Sequence, residues 1–199
     1  MRNRGAIIIL IFLAVNALVL SFIPPVQQLG SWIRLIIFHG ILSIAGLYTI
    51  YAAGILGVLY LVLGNKGFGR WSGELGLISV VVWLVGTLLS FVSMQVAWGG
   101  LMWTEPRTIA AVTIVVLGLG KEYLVRSGGG KIKTFAMANL GFAAAVLLIR
   151  QTLEFVMHPD NPIGTSDSAV IRLLPMVMLG FTLLAIAQFC RWRLAQRIN

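Results

Sequence analysis

The sequence is poor in charge and almost free of cysteine. Only 11% of its 199 residues are Asp, Glu, Lys or Arg, whereas 59% are hydrophobic, and the mean hydropathy is +0.96. A soluble domain of this length cannot hide so much apolar surface in one core, so the composition predicts an integral membrane protein. The single cysteine, Cys190, excludes an internal disulfide and a metal cluster built from several cysteines.

Sequence motifs for covalent or phosphate chemistry are also missing. The chain has no Cys-x-x-Cys, no glycine-rich phosphate loop and no recognisable pair of nucleophile and base. We therefore predict no catalytic residues and expect a carrier rather than an enzyme. Any ATP that the process consumes would be bound by a partner.

Six apolar runs are long enough to cross a bilayer, whose hydrocarbon core of about 30 Å needs about 20 helical residues. We therefore predict one all-α domain over residues 1–199 with six transmembrane helices. The predicted spans are Ala6 to Ile23, Phe38 to Leu63, Leu75 to Met94, Thr108 to Val125, Thr134 to Met157 and Ile171 to Phe189.

The basic residues are distributed unevenly between the two sides of this topology. Eleven of the fifteen lie at the termini or in the loops after spans two and four, so the positive-inside rule predicts cytoplasmic N- and C-termini. The other four are balanced by four acidic residues, which leaves the outer side formally neutral and argues against nucleic acid as a partner. We expect a multi-pass protein of the cell (plasma or inner) membrane, with the lipid bilayer as its surroundings and its functional loops on the outer, periplasmic side.

The loops differ in character on the two sides. The outer segments, residues 24–39, 95–108 and 158–172, hold most of the polar side chains that we considered functional. The cytoplasmic connections, "GNKGFGRWSGE" and "GKEYLVRSGGGKIK", are rich in Gly, Lys and Arg, which predicts flexible turns near anionic lipid. Interest in function therefore concentrates on the outer side.

The only two histidines, His39 and His158, fall at the outer ends of the second and fifth spans. Neutral imidazole is a common ligand of haem iron, zinc and copper, so two imidazoles at one depth could hold a single metal. The alternative is that histidine is simply tolerated at a membrane interface, since a same-side placement of two residues arises by chance half the time.

Residues 97–108, "AWGGLMWTEPRT", interrupt the apolar pattern between spans three and four. Trp98 and Trp103 enclose two glycines, and bare backbone beside aromatic rings allows a large flat ligand to approach and stack. Anchoring at the membrane interface is the alternative role for tryptophan. It accounts for Trp32 and Trp71 but leaves the glycines unexplained.

This stretch resembles the tryptophan-rich signature of the cytochrome c assembly family of haem-handling membrane proteins, written W-G-x-x-W-x-W-D-x-R or W-D-P-K. The matching residues are Trp98, Gly99, Glu105 in place of Asp, Pro106 and Arg107, while Leu101 and Met102 stand where tryptophans are usual. The flanks "RLIIFH" and "TLEFVMHP", six spans and a length near 200 residues resemble the haem exporter protein C branch.

The resemblance implies a haem (haem b) carried at the outer face, with its iron bound by His39 and His158. It further implies delivery of the haem into cytochrome c maturation, with an ATP-binding cassette transporter and a membrane-tethered haem chaperone as partners. The residues expected around the haem are Trp98, Gly99, Trp103, Glu105, Arg107 and Arg34.

Arginine side chains near the loops have two possible roles each. Arg107, and second Arg34, could pair with a haem propionate, for which a guanidinium fork is well shaped. The alternative is that Glu105 and Arg107 are plain interface residues, and an exposed ion pair between them would contribute only about 0 to 1 kcal/mol. Arg150 lies deeper and one helical turn before Glu154, so an internal pair between them is expected, with a contact to a haem edge as the alternative.

Two rival functions remain open at this point. A lyase or synthetase-like subunit would attach haem to the apocytochrome itself, but the additional spans expected of such a protein are missing. A membrane transporter or scaffold without haem would be favoured by paired charges near the bilayer midplane. The sequence instead suggests that polar residues gather at the outer edge.

Overall fold

The computed structural model describes residues 2–153 and 166–196, and within these ranges the regular structure is helical. Its six helices confirm the predicted all-α class, and each is long and apolar enough to cross a membrane. Helices suit such runs because every backbone N–H and C=O is bonded inside the segment when no water is present. They are α1 Arg2–Ser21, α2 Ile33–Leu63, α3 Lys66–Trp98, α4 Pro106–Ser127, α5 Ile132–Gln151 and α6 Ala169–Gln196.

The two basic connections are shorter than their composition predicted, because most of each stretch is helical. Only Gly64 and Asn65 separate α2 from α3, because Gly64 ends α2 in the left-handed conformation at φ 70° and its N–H bonds to the Tyr60 carbonyl. The Asn65 side chain then accepts from the Gly67 N–H and caps α3. The second connection has four residues, since α4 runs to Ser127 and α5 starts at Ile132.

α2 and α3 form the central antiparallel pair. Gly46 of α2 lies against Trp83 of α3, and Gly86 of α3 lies against Ser43 of α2. Both helices exceed the hydrocarbon thickness, since 31 and 33 residues rise about 47 Å and 50 Å at 1.5 Å per residue. Their ends therefore reach into the interfacial layers or the helices tilt.

α5 approaches α2 closely because glycine faces it. A Cβ on Gly57 would lie 2.6 Å from the Ala136 carbonyl oxygen, and one on Gly54 would lie 2.6 Å from the Ala143 side chain. Small residues of this kind allow helix backbones in a membrane to pack tightly by van der Waals contact. α4 then completes this side, with the Trp83 indole N–H donating to the Ala111 carbonyl at 3.1 Å.

α1 and α6 form a second antiparallel pair that packs on α2 and α3 mainly through α6. Gly5 lies against Trp192, and Asn16 lies beside Thr182. The start of α1 and the end of α6 are therefore at the same end of the bundle. Ile23, Ile37, Ile41 and Met178 form the buried cluster that joins the pair to α2.

The antiparallel arrangement gives the molecule two ends, which we name by their residues. The His39 end contains the end of α1, the start of α2, the end of α3 and the start of α4. The basic end contains the start of α3, the end of α4, the start of α5 and the end of α6, with Arg70, Lys121, Arg126 and Arg193.

Candidate functional site

The "WGGLMWTEPR" loop begins at the end of α3. Trp98 is the last residue of this helix and is half-buried, and Gly99 ends it at φ 73° with its N–H bonded to the Gln95 carbonyl. Gly99 is therefore required by the helix end itself, because only glycine adopts this conformation without strain. Gly100 has no such constraint, and a Cβ built on either glycine would meet no atom within 4 Å.

Trp103 carries the largest exposed aromatic surface of this loop. Its ring packs against Phe91 of α3, with the ring centroids 5.3 Å apart and the planes tilted by 55°. The side chain nevertheless remains 58% exposed, so its position is fixed by one aromatic contact while the rest of its surface is free to receive a ligand or lipid. The open backbone of Gly100 lies three residues before it.

Glu105 is a buried helix cap rather than an exposed interface charge. Its Oε2 accepts from the Thr108 N–H at 2.7 Å and so satisfies one of the free donors at the start of α4. The Thr108 hydroxyl also contacts Met94 Sδ of α3 at 3.6 Å, which ties α4 to the end of α3. Only 3% of Glu105 is exposed, and its Oε1 has no hydrogen-bond partner within the described ranges.

The two candidate arginines lie on different elements of the His39 end. Arg34, in the first turn of α2, donates its Nε to the carbonyl of buried Ile23 at 2.9 Å and thereby anchors the segment that follows α1. Arg107 is the second residue of α4 and is half-buried. The bond to Ile23 gives Arg34 a structural role in addition to the one predicted from the sequence.

The two histidines differ in what can be said of them. His39 lies in the second turn of α2 and is half-buried, and its carbonyl accepts from the Ser43 hydroxyl at 3.0 Å. His158 and Glu154 fall outside the described residues, so the predicted iron ligation and the predicted pair with Arg150 are not placed. Across residues 2–153 and 166–196, no three His, Cys, Asp or Glu side chains come together as a metal site would require.

A buried ion pair at the basic end was missed by the sequence reasoning. Arg193 Nε of α6 lies 2.8 Å from Glu74 Oε2 of α3, and Glu74 is 2% exposed. Polar side chains therefore do not gather only at the other end, as the sequence had suggested. The signal available in the sequence was Glu74 itself, an acidic residue at the end of the basic stretch "GNKGFGRWSGE".

A second buried network links α3, α4 and α5 near the same end. Lys121 Nζ lies 2.6 Å from Asn139 Oδ1 and 2.8 Å from Glu122 Oε1, and Glu122 in turn pairs with Arg126 at 2.9 Å. The Asn139 amide donates to the Ser72 carbonyl at 2.8 Å. These bonds satisfy the charges that the helices bury, as polar groups inside a membrane protein require.

The structure thus brings most of the sequence-predicted residues to one end of the bundle. Trp98, Gly99, Trp103, Glu105 and Arg107 belong to the junction of α3 and α4, and His39 and Arg34 belong to the first two turns of α2. The arrangement offers an imidazole, an exposed indole, open backbone and guanidinium groups at one end of the bundle. No known family model and no curated protein sequence matches this chain.

Proposed function

We propose that the protein binds haem at its His39 end and presents it for cytochrome c maturation, as a carrier and not as an enzyme. The observation that supports this most is the exposed face of Trp103, held against Phe91 beside the open backbone of Gly100. A flat porphyrin can stack on such an indole and pass close to a backbone without side chains.

The described residues fit this cargo. His39 supplies one imidazole for the iron, and His158 is assigned as the second ligand by the resemblance to the cytochrome c assembly family. Arg107 is suited to a propionate, since a guanidinium makes two parallel hydrogen bonds to a carboxylate. Arg34 can take part with its terminal nitrogens, because its bond to Ile23 uses Nε.

The proposal includes the orientation and partners that the sequence predicted. The His39 end faces the outer, periplasmic side of the cell membrane, since the basic end carries the charges that the positive-inside rule keeps in the cytoplasm. An ATP-binding cassette transporter and a membrane-tethered haem chaperone are the proposed partners, and their basis is the family resemblance.

The test is the visible absorption spectrum of the purified full chain. We expect a Soret band that is lost or shifted in His39→Gly and in His158→Gly and partly restored by added imidazole, which fills the vacated position on the iron. Ser43→Ala, one turn beyond His39, is the matched control and should keep the parent spectrum. An unchanged spectrum in both histidine variants would contradict the assignment of the iron ligands.

A transporter without haem is the second candidate, because the helices bury ion pairs, but these pairs lie at the basic end and not at the bilayer midplane. Glu74 lies about 12 Å from the start of α3, a helix of about 50 Å, so its pair with Arg193 is far from the midplane where transporter sites lie. A protein that never carries a Soret band, even when produced with excess haem, would favour this candidate over the first. A lyase-like subunit would instead form a covalent haem adduct when apocytochrome is the only addition.

A further inference from the structure

A cavity of about 450 Å³ opens at the basic end, between the start of α3, the end of α4, the start of α5 and the end of α6. Its polar wall contains Arg70, Glu74 and Arg126, and its apolar wall contains Phe135 and Leu194. Cavities of this size are typical of sites for small ligands. The haem proposal uses none of these residues, because they lie at the opposite end of the bundle.

The carboxylates around this cavity are paired, whereas one of its arginines is not paired with any described residue. Glu74 is paired with Arg193 at 2.8 Å, and Glu122 is paired with Arg126 at 2.9 Å, so both carboxylates already have a guanidinium. Arg70 is exposed and forms no hydrogen bond or ion pair with the residues that the structure describes. One positive charge on the cavity wall is therefore available to an anion.

Arg126 can share its charge with a ligand. Both Nε and Nη2 bond to the same Glu122 oxygen, at 3.0 Å and 2.9 Å, and Glu122 also has Lys121 at 2.8 Å. The two cations around this carboxylate leave a second surplus positive charge. The Arg126 side chain is 39% exposed, and its Cζ lies 5.2 Å from the Phe135 ring centroid, which keeps the guanidinium at the cavity.

A glycine, Gly73, is part of the wall of the same cavity as the two arginines. Gly73 lies on α3 between Arg70 and Glu74, and a Cβ there would meet Phe135 at 3.5 Å, an ordinary contact. A larger side chain at this position would therefore extend into the cavity. The first turn of α5 adjoins the same space without a side-chain cap, so its partial positive charge adds to that of the arginines.

We infer that this cavity binds a phosphate group, with Arg70 and Arg126 as its ligands. Guanidinium groups bind phosphate through charge-assisted hydrogen bonds, and basic cavities between membrane helices accept anionic headgroups. The apolar wall of Phe135 and Leu194 suits the glycerol and acyl portion of a phospholipid. A soluble phosphate compound offers the same chemistry to the arginines.

Native mass spectrometry of the full chain in detergent tests this inference. The probes are phosphatidylglycerol, diacylglycerol with the same acyl chains and no phosphate, and glycerol 3-phosphate. We expect phosphatidylglycerol to be retained and diacylglycerol to be lost. If glycerol 3-phosphate also binds and displaces the lipid, the cavity accepts soluble phosphate compounds as well as phospholipids. If glycerol 3-phosphate does not bind, the ligand is a phospholipid.

Three variants test whether the lipid binds in this cavity. Arg70→Gln and Gly73→Leu should each weaken retention of phosphatidylglycerol by about tenfold, the first by removing a charged donor and the second by filling the space. Arg191→Gln removes the same charge from an exposed residue at the same end and should stay within about twofold of the parent. Arg70 is exposed, so its variant keeps the fold even if Gly73→Leu does not.

Three results would overturn the inference. Diacylglycerol could be retained as well as phosphatidylglycerol, which would show that the phosphate is not recognised. Arg70→Gln could bind as the parent does. Arg191→Gln could lose as much as Arg70→Gln, which would indicate general attraction to a basic surface.

Discussion

Arg193, near the end of α6, lies 2.8 Å from Glu74, which is buried near the start of α3. The two side chains differ in exposure, since 29% of the Arg193 side chain but only 2% of that of Glu74 is exposed. Replacement of Arg193 and replacement of Glu74 should therefore lower the free energy of unfolding by different amounts. A buried carboxylate that loses this guanidinium cannot turn toward water, whereas an arginine that loses the carboxylate can turn its long side chain outward.

We expect Arg193→Met to lower the free energy of unfolding by about 3 kcal/mol and Glu74→Gln to lower it by about 1 kcal/mol. The double variant should recover most of the larger loss, because neither charge of this pair is then present. Detergent-induced unfolding of all three proteins measures these differences. Equal losses in the two single variants would show that burial of the carboxylate does not control the cost.

The two buried asparagines should respond oppositely to leucine. Asn139→Leu breaks the bonds to Ser72 at 2.8 Å and to Lys121 at 2.6 Å, so we expect a loss of about 2 to 3 kcal/mol. Asn16 makes only a 3.4 Å contact to Thr182, and its Oδ1 has no hydrogen-bond partner in the described part of the chain. Asn16→Leu should therefore be neutral or stabilising, and a loss as large as that of Asn139→Leu would refute this comparison.

Substitutions of Gly99 and Gly100 distinguish an effect on haem binding from an effect on the end of α3. Gly99→Leu forces a side chain into the left-handed conformation and should cost about 1 to 2 kcal/mol whether or not haem binds. A leucine Cβ at position 100 would contact no atom within 4 Å, and Gly100 does not have a positive φ. Gly100→Leu should therefore keep the parental stability while haem occupancy falls. Parental occupancy in Gly100→Leu, measured at matched protein yield, would show that the open backbone receives no ligand.

Trp103 provides a second test of stacking. Trp103→Phe keeps a ring against Phe91 and should retain most of the haem, whereas Trp103→Ala should lose it. Trp32→Ala is the control, because Trp32 lies at the same end and is 55% exposed. If tryptophan acts here only as a membrane anchor, the two alanine variants will behave alike.

Orientation can be tested by reporter fusions. A reporter inserted at Gly129 or fused after Asn199 should indicate the cytoplasm, and one inserted at Gln28 should indicate the outer side. Gly129 belongs to the basic end, Asn199 comes three residues after the end of α6 in the sequence, and Gln28 belongs to the connection between α1 and α2. The reversed pattern would separate the His39 end from the side on which haem is delivered.

The number of helices was predictable because it depends only on the length of each apolar run. The residue at which α3 begins was not predictable. Gly69 and Arg70 have a composition typical of a loop, yet they are helical, and Gly69 lies in close contact with α5. A Cβ on Gly69 would clash with Ile132, a residue far along the chain. Periodicity within one segment cannot report such a contact between helices.

The end of the bundle at which the candidate residues lie was predictable, whereas their local conformation was not. Alternation of six spans places His39 and Trp103 at the same end. The sequence did not show that Gly99 ends a helix or that Glu105 is buried as a cap, since both follow from backbone conformation. Nor did it show the pair of Glu74 and Arg193, because complementary charges on distant helices leave no pattern in a single chain.

The pairing of α1 with α6 has a consequence for how the protein is made. α1 leaves the ribosome before α6, with four helices between them, yet Gly5 packs on Trp192 and Asn16 lies beside Thr182. Until α6 has been made, α1 has little to hold it except its short contact with α2. The nascent chain therefore carries the Asn16 amide in the bilayer without Thr182, and the bundle closes only after α6 has been inserted.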